Sequence, residues 1–547
     1  MENRENNILD NIFIQITDEN KEEVVPVLLN ALFGSLSVNG ENDSVPGQKF
    51  MEKLLERLPK PYTVVHENYH IDGGYRDTYY MYFSNQHFDV PRYSRRFSFF
   101  KGLITYDEFI NLEREKIHLK KRFIGTCIFN PLGSGLIGRT LINPFYIIED
   151  REKPVYVRTS EYIVNILGQS VTVNAFPFRM QDQETMSCAE VTLLNILEHY
   201  SNSYSDYRRI NPSEIIEHEQ MHSHERVLPS KGMTYPILTK VLADFGFSPR
   251  LYNLYAIKPH NFSKITKKDE LKRWLHYYVE SGIPVAINLN PKVNYGSGHS
   301  VVCIGHGKAK TELKEKARRS ELLLWGKRDD HPIINSADFY DEYVVVDDNQ
   351  FLYQLRNFDN IALFPDMQVV NLAVPLYKRM FLDAPDAADT IVPILQHPEY
   401  GITAWGGNYL KDREDVIIRI FMASSRGFKN YRVKTMVGKS ERMLYSNMRL
   451  PRFIWVCELY TVAGYEREEA FGEIILDATS ASNRGHRSLL MMHYPDVIAI
   501  RNPDEKNVGF EMEYKLPEVY LFKGYRRNLT MIGKKIRIKF VDIVKNI

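Results

Sequence analysis

Apolar residues recur along this chain with two periods, and the change from one to the other marks three zones. In the first zone, residues 1–170, the spacing predicts helices over Glu22–Leu36 and Lys49–Leu58, the second stopped by Pro59 and Pro61. The break between them is the Gly/Asn/Ser/Pro-rich segment Gly40–Gly47. The aromatic run His66–Phe83 predicts strand, with a turn at Asp72-Gly73-Gly74. Arg122–Ile128 and Leu141–Glu149 also predict strands, divided by a Gly-rich turn at Gly133–Gly138. In the second zone, residues 171–365, helical periods over Thr185–Ser201, Pro212–Glu225, Thr234–Phe245 and Lys267–Ser281 come first. Three strands follow, Ile283–Leu289, His299–Gly305 and Tyr343–Asp347, with a charged amphipathic insertion, Lys308–Arg328, between the last two. Helices followed by consecutive strands predict an α+β fold with an antiparallel sheet. The third zone, residues 366–547, alternates short strand-like runs with turns: Val416–Met422, Phe453–Tyr460, Glu473–Leu476, Val497–Ile500 and Ile536–Val541. It reads as a β-rich domain.

The chain has 547 residues, enough for three or four domains at about 150 residues each. Lys and Arg number 70 against 69 Asp and Glu. That balance argues against a dedicated nucleic-acid or polybasic membrane binder. The polar, acidic segment Met1–Asn20 lacks the basic-then-apolar form of a secretory signal, and no apolar run approaches transmembrane length. A cytoplasmic protein with reduced thiols is the expectation. The four cysteines, Cys127, Cys188, Cys303 and Cys457, lie far apart, with no C-x-x-C pair. Neither a disulfide scaffold nor a thiolate zinc site is indicated.

One of the four stands apart. Cys188 lies at the start of a helix, with Ser187 as N-cap and Glu190 three residues on to complete a capping box. Val191, Leu194 and Leu197 form a buried stripe below it. Unpaired amides and the helix dipole at that position favour the thiolate, which is the nucleophile. A lone cysteine is otherwise a small buried hydrophobe, the reading that suits Cys127, Cys303 and Cys457. A thiolate catalyst needs a base, and a group that orients the base. His299 opens a strand after the Gly-rich Tyr295–Gly298, and the next strand ends at Asp347 and Asp348. Side-chain alternation lets only one of those two aspartates face His299. Gln181 and Gln183, just upstream, and the Cys188 amide can hold an oxyanion.

This ordered set resembles the papain-like cysteine peptidases, specifically the core of the bacterial double-glycine-leader peptidases. The match is Gln181 or Gln183, then Cys188, then His299, then Asp347 or Asp348, over residues 171–365. Ser230–Leu242 is similar to that family's second helix, and Gly282–Ile287 to the strand before its histidine. Ala189 stands where the family has glycine, and the glutamine lies five or seven residues before the cysteine where the family has six. The resemblance implies a Cys-His-Asp hydrolase acting on a protein or peptide substrate. It implies no cofactor, no metal, no nucleic acid and no membrane. A binding scaffold with a degenerate core of this type is the alternative in another class.

A rival motif is His218-Glu219-Gln220-Met221-His222. On a helix, H-E-x-x-H sets two imidazoles on one face for zinc, with the glutamate as base. No further histidine or glutamate follows at zinc-hydrolase spacing, and the string is dense in charge, as a solvated helix face is.

Overall fold

The β-branched and aromatic segments of the first zone pair as one antiparallel meander, Phe13–Ile16, Tyr62–His70, Ser94–Lys101, Phe123–Asn130 and Leu136–Ile142, in chain order. The protein is seen in a computed structural model. It describes residues 12–33, 46–87, 89–110, 116–132, 136–148, 154–258, 265–292, 298–319, 331–361, 366–406, 409–411, 414–436, 438–481, 487–501, 510–516 and 521–533. Its class is mixed α+β with several antiparallel sheets, as the order of elements predicts. The helices Lys21–Phe33 and Pro46–Arg57 bury Leu28, Leu32, Met51 and Leu54 in the core of the first zone.

One expectation fails here. Only the first part of the run His66–Phe83 is strand, and Gly73–Met81 is helix. The Asp72 carboxylate accepts from the Tyr75 amide at 2.9 Å, so Asp72-Gly73-Gly74 caps a helix and does not turn a hairpin. The helix then packs on Pro212–His222, where the Asp77 carboxylate accepts from the Ser213 amide and hydroxyl. Leu141–Glu149 is also strand only as far as Ile142. Asn143 accepts from the Phe145 amide and starts a 3₁₀ turn at Pro144.

The boundary expected at residue 170 falls inside a hairpin, Ser160–Ile166 with Gln169–Ala175. Its two turn residues, Leu167 and Gly168, have φ of +46° and +83°, the signs a two-residue hairpin turn of matching twist requires. The central sheet runs Gln354–Asn357, Glu342–Val346, His299–His306, Val285–Pro291, Met367–Val374, Arg250–Asn253, all antiparallel. Met367–Val374 lies past residue 365 yet pairs with Val285–Pro291, so this sheet crosses that position.

Alternate residues of the central strands face two different cores. Ala286, Val302, Ile304 and Val344 pack toward the helix Cys188–Ser203 and the N-terminal meander. Val285, Ile287, Val301, Cys303 and Val345 pack toward the helix Lys267–Glu280 and the C-terminal sheet. Burial on both faces is why these strands are apolar throughout and show no alternation with polar residues. Gly305 has no side chain because the backbone of Val155–Val157 pairs there; a Cβ would stand 2.1 Å from the Tyr156 carbonyl oxygen.

The C-terminal sheet runs Ile333–Asn335, Val416–Ser424, Phe453–Thr461, Gly472–Asp477, Leu489–Tyr494, Val497–Arg501, Phe510–Lys515. The first pair is parallel and the rest are antiparallel. The expected strand Ile536–Val541 lies outside the described residues, as do residues 34–36 of the first expected helix, residues 40–45, 133–135 and 295–297 of the Gly-rich breaks, and residues 320–328 of the insertion. Among the described residues no helix is long and apolar enough to cross a membrane.

Candidate active site

Cys188 is the first residue of the helix Cys188–Ser203, and of the four thiols it alone is only half-buried. Cys127 and Cys303 are fully buried, and burial pushes each thiol up to about 12. Cys457 is raised as well, again by burial. These three are core thiols. The helix below Cys188 is buried on nearly every side, more than the expected stripe, and Thr192 fixes it to the neighbouring strand by donating to the Ser300 carbonyl at 3.2 Å.

The expected capping box does not form. Ser187 is the N-cap residue, but its hydroxyl donates to the Glu190 carboxylate and accepts no amide of the first turn. Glu190 is 1 % exposed and needs donors; Ser230 supplies a second, 2.8 Å from its other oxygen. The demand of a buried carboxylate for hydrogen bonds therefore outweighs the cap.

Asp182 organises the loop that delivers the thiol. One of its oxygens accepts from the amides of Glu184, Thr185 and Met186 at 3.0, 2.7 and 2.8 Å, and the other accepts from the Thr185 hydroxyl. Sequence reasoning passed over this residue. The signal was present in Asp182-x-x-Thr185, the spacing of a side chain that closes a turn on its own backbone.

His299, 8 % exposed, opens its strand opposite Leu289. Its Nε2 is 2.9 Å from Asp347 Oδ1, and the ring also hydrogen-bonds to Cys188. Asp347 Oδ1 accepts from the Asn349 amide as well, at 3.0 Å, which holds the carboxylate in place. Burial works against charge on His299, but the bonds to Asp347 and Cys188 and the charges of Asp347 and Asp348 prevail, and its pKa rises to about 11.

Asp348 corrects the expectation that only one aspartate faces the histidine. Its Oδ1 lies 3.9 Å from His299 Nε2. The strand ends at Val346, so strict alternation no longer applies to the two residues beyond it. Asp348 is 4 % exposed; burial raises its carboxyl to about 7, with the Asp347 charge adding to the effect and His299 opposing it.

The two glutamines separate. Gln181 is half-buried and donates from Nε2 to Asn349 Oδ1 at 2.7 Å, which ties it to the end of the strand that carries Asp347. Gln183 is exposed and occupies a left-handed turn position with φ of +61°.

The H-E-x-x-H string does not assemble a zinc site. His218 Nδ1 and His222 Nε2 are 3.0 and 2.7 Å from the same Asp244 oxygen. Glu219, which would be the base, turns the other way into the core and meets Glu190. Burial first, and Glu190 second, raise Glu219 to about 8. Among the described residues, the three groups that bring metal-ligand atoms within 4.8 Å of one another are His299, Asp347 and Asp348.

Cysteine, histidine and aspartate thus meet where a helix start, a strand start and a strand end converge. Such an arrangement can form a thiolate, relay a proton through imidazole and hold the imidazole upright. No protein-family model and no curated protein matches the chain.

Proposed function

We propose that the protein is a cysteine hydrolase with a papain-like core, cleaving peptide or isopeptide bonds. The observation that carries this reading is His299, bonded through Nε2 to Asp347 and interacting with Cys188 at a helix N-terminus. The charged imidazole stabilises the Cys188 thiolate. The thiolate attacks the substrate carbonyl, and His299 gives its proton to the leaving amine. Neutral His299 then takes a proton from water, the hydroxide attacks the thioester, and the thiol is released. The Cys188 amide and Gln181 are the oxyanion donors in this reading, because Gln183 points to solvent.

Iodoacetamide labelling at pH 6 tests the reading. Cys188 is expected to alkylate while the three buried thiols stay unmodified, and His299→Ala is expected to slow labelling at least about tenfold. Cleavage of a peptide library should vanish in Cys188→Ala. Labelling that is unaffected by His299→Ala would defeat the proposal.

A second reading follows from the ligand geometry of His299, Asp347 and Asp348, which could hold a divalent metal. The thiol mechanism expects added zinc to inhibit, because a metal would take the lone pair that His299 needs. A metal-dependent hydrolase would instead lose activity to a chelator and keep it in Cys188→Ala.

A further inference from the structure

We infer that the protein has a second ligand site, for a small aromatic anion, where the central sheet meets the C-terminal domain. A cavity of about 290 Å³ lies there, lined by Arg158, Tyr200, Met422, Tyr525 and Arg527 among others. Its size is near the lower end of the ~300–1,000 Å³ usual for small-molecule sites, and junctions between domains are where such sites concentrate. It stands apart from the thiol. Tyr200 is on the same helix as Cys188 but twelve residues along, about 18 Å at 1.5 Å per residue.

The charge of the walls selects the ligand's head. Arg158 is half-buried, and its Nε and Nη1 donate to neutral acceptors, His199 Nε2 at 3.1 Å and the Asn528 carbonyl at 3.2 Å. Burial keeps His199 uncharged, so Arg158 meets a neutral acceptor there and no anion. Arg527 is exposed at the rim, with its guanidinium over the Tyr431 ring. Among the described residues neither arginine pairs with a carboxylate. Asp206, an acid beside the lining residue Tyr377, is already matched by Arg452, which also donates to the Tyr377 hydroxyl. Two uncompensated guanidiniums on one cavity call for an anion, and their planar forks suit phosphate or carboxylate oxygens.

The rest of the wall selects the body. Tyr204, Phe453, Met380 and Met422 offer ring faces and thioethers, which favour a planar apolar group. The Tyr525 ring stacks on Phe421 and keeps its place on the wall without a ligand. The ligand class is therefore one aromatic ring bearing a phosphate or carboxylate.

Thermal-shift titration of the full chain tests this with phenyl phosphate, benzoate and inorganic phosphate as probes. A saturable rise in melting temperature is expected with phenyl phosphate or benzoate, and the stronger of the two names the head group. Arg527→Gln should weaken that binding about tenfold, the loss expected for one charge-assisted contact. Arg158→Gln should weaken it at least as much, and Arg426→Gln, on the neighbouring exposed surface, should not. Arg527 is at the surface, so its variant decides the matter even if Arg158→Gln fails to fold. Three results overturn the inference: no saturable shift with either aromatic probe, equal shifts in wild type and Arg527→Gln, or a shift with inorganic phosphate as large as with phenyl phosphate, which would mean an adventitious ion only.

Discussion

His299 carries the proton chemistry of the proposed reaction, and its environment sets the pH range of that chemistry. Its folded pKa is raised from the usual 6.5 to about 11, chiefly through Asp347 and Cys188 and against the effect of burial. The stabilisation this brings is fully present below about 6.5 and is lost as pH rises toward 11. Hydrolysis should therefore keep its alkaline limb well above pH 7. In Asp347→Asn that limb should move down by more than one pH unit, with about a tenfold loss in kcat; a pH–rate profile of the two proteins reads both. An alkaline limb at the same pH in both would show that Asp347 does not set the basicity. Asp348 has the same sign, at lower pH. Its folded pKa of about 7 lies above the usual 3.8, so the folded state gains from the bound proton, and stability falls as pH rises from about 4 to 7. Asp348→Asn removes that penalty. The variant should resist urea better than wild type at pH 8 and equally at pH 4, and a lower midpoint at pH 8 would contradict this.

Elements rather than single residues decide how closely the thiol meets its base, and the loop 181–187 is the element most at risk. Asp182 satisfies three successive amides that no regular structure serves. Asp182→Ala should cut the rate of Cys188 alkylation at least about tenfold while costing only about 1–3 kcal/mol of stability. Labelling at the wild-type rate would mean that the loop holds itself. The helix that starts at Cys188, the strand that opens with His299 and the strand that ends at Val346, just before Asp347, were all legible in the sequence to within a few residues, because each has a clear period and clear stops. What escaped were choices settled by contacts between distant segments. Gly73–Met81 reads as an aromatic strand until the Asp72 cap and the Asp77–Ser213 bonds draw it onto another helix. Glu190 reads as half of a capping box until burial obliges it to take the hydroxyls of Ser187 and Ser230. Likewise, the spacing to Cys188 left two glutamines open, and a contact with Asn349 distinguishes them.

At the scale of the molecule, charge joins what the three zones divide. Glu280 ends a helix of the central layer, and its carboxylate accepts from Arg419 of the C-terminal sheet. Arg419 also donates to Glu458, Glu458 accepts from Arg432, and Arg432 reaches Glu473. All five side chains are at most 3 % exposed. Arg526 adds a third cation 3.7 Å from Glu280, so three carboxylates meet three guanidiniums and the charge balance of +1 for the whole chain gives no hint of them. A buried chain of this kind adds little net stability over an apolar equivalent, but losing one member strands the others without compensation. Arg419→Ala leaves Glu280 and Glu458 short of their shared cation and should cost about 3–5 kcal/mol in urea unfolding. Lys268→Ala, which breaks the exposed pair with Asp359, should cost no more than about 1 kcal/mol. The larger loss should also change the form of unfolding. Arg419 is a tie between the layer that holds His299 and the C-terminal sheet, so its removal is expected to split one calorimetric transition into two. A single transition lowered no further than that of Lys268→Ala would show that apolar packing alone couples the layers.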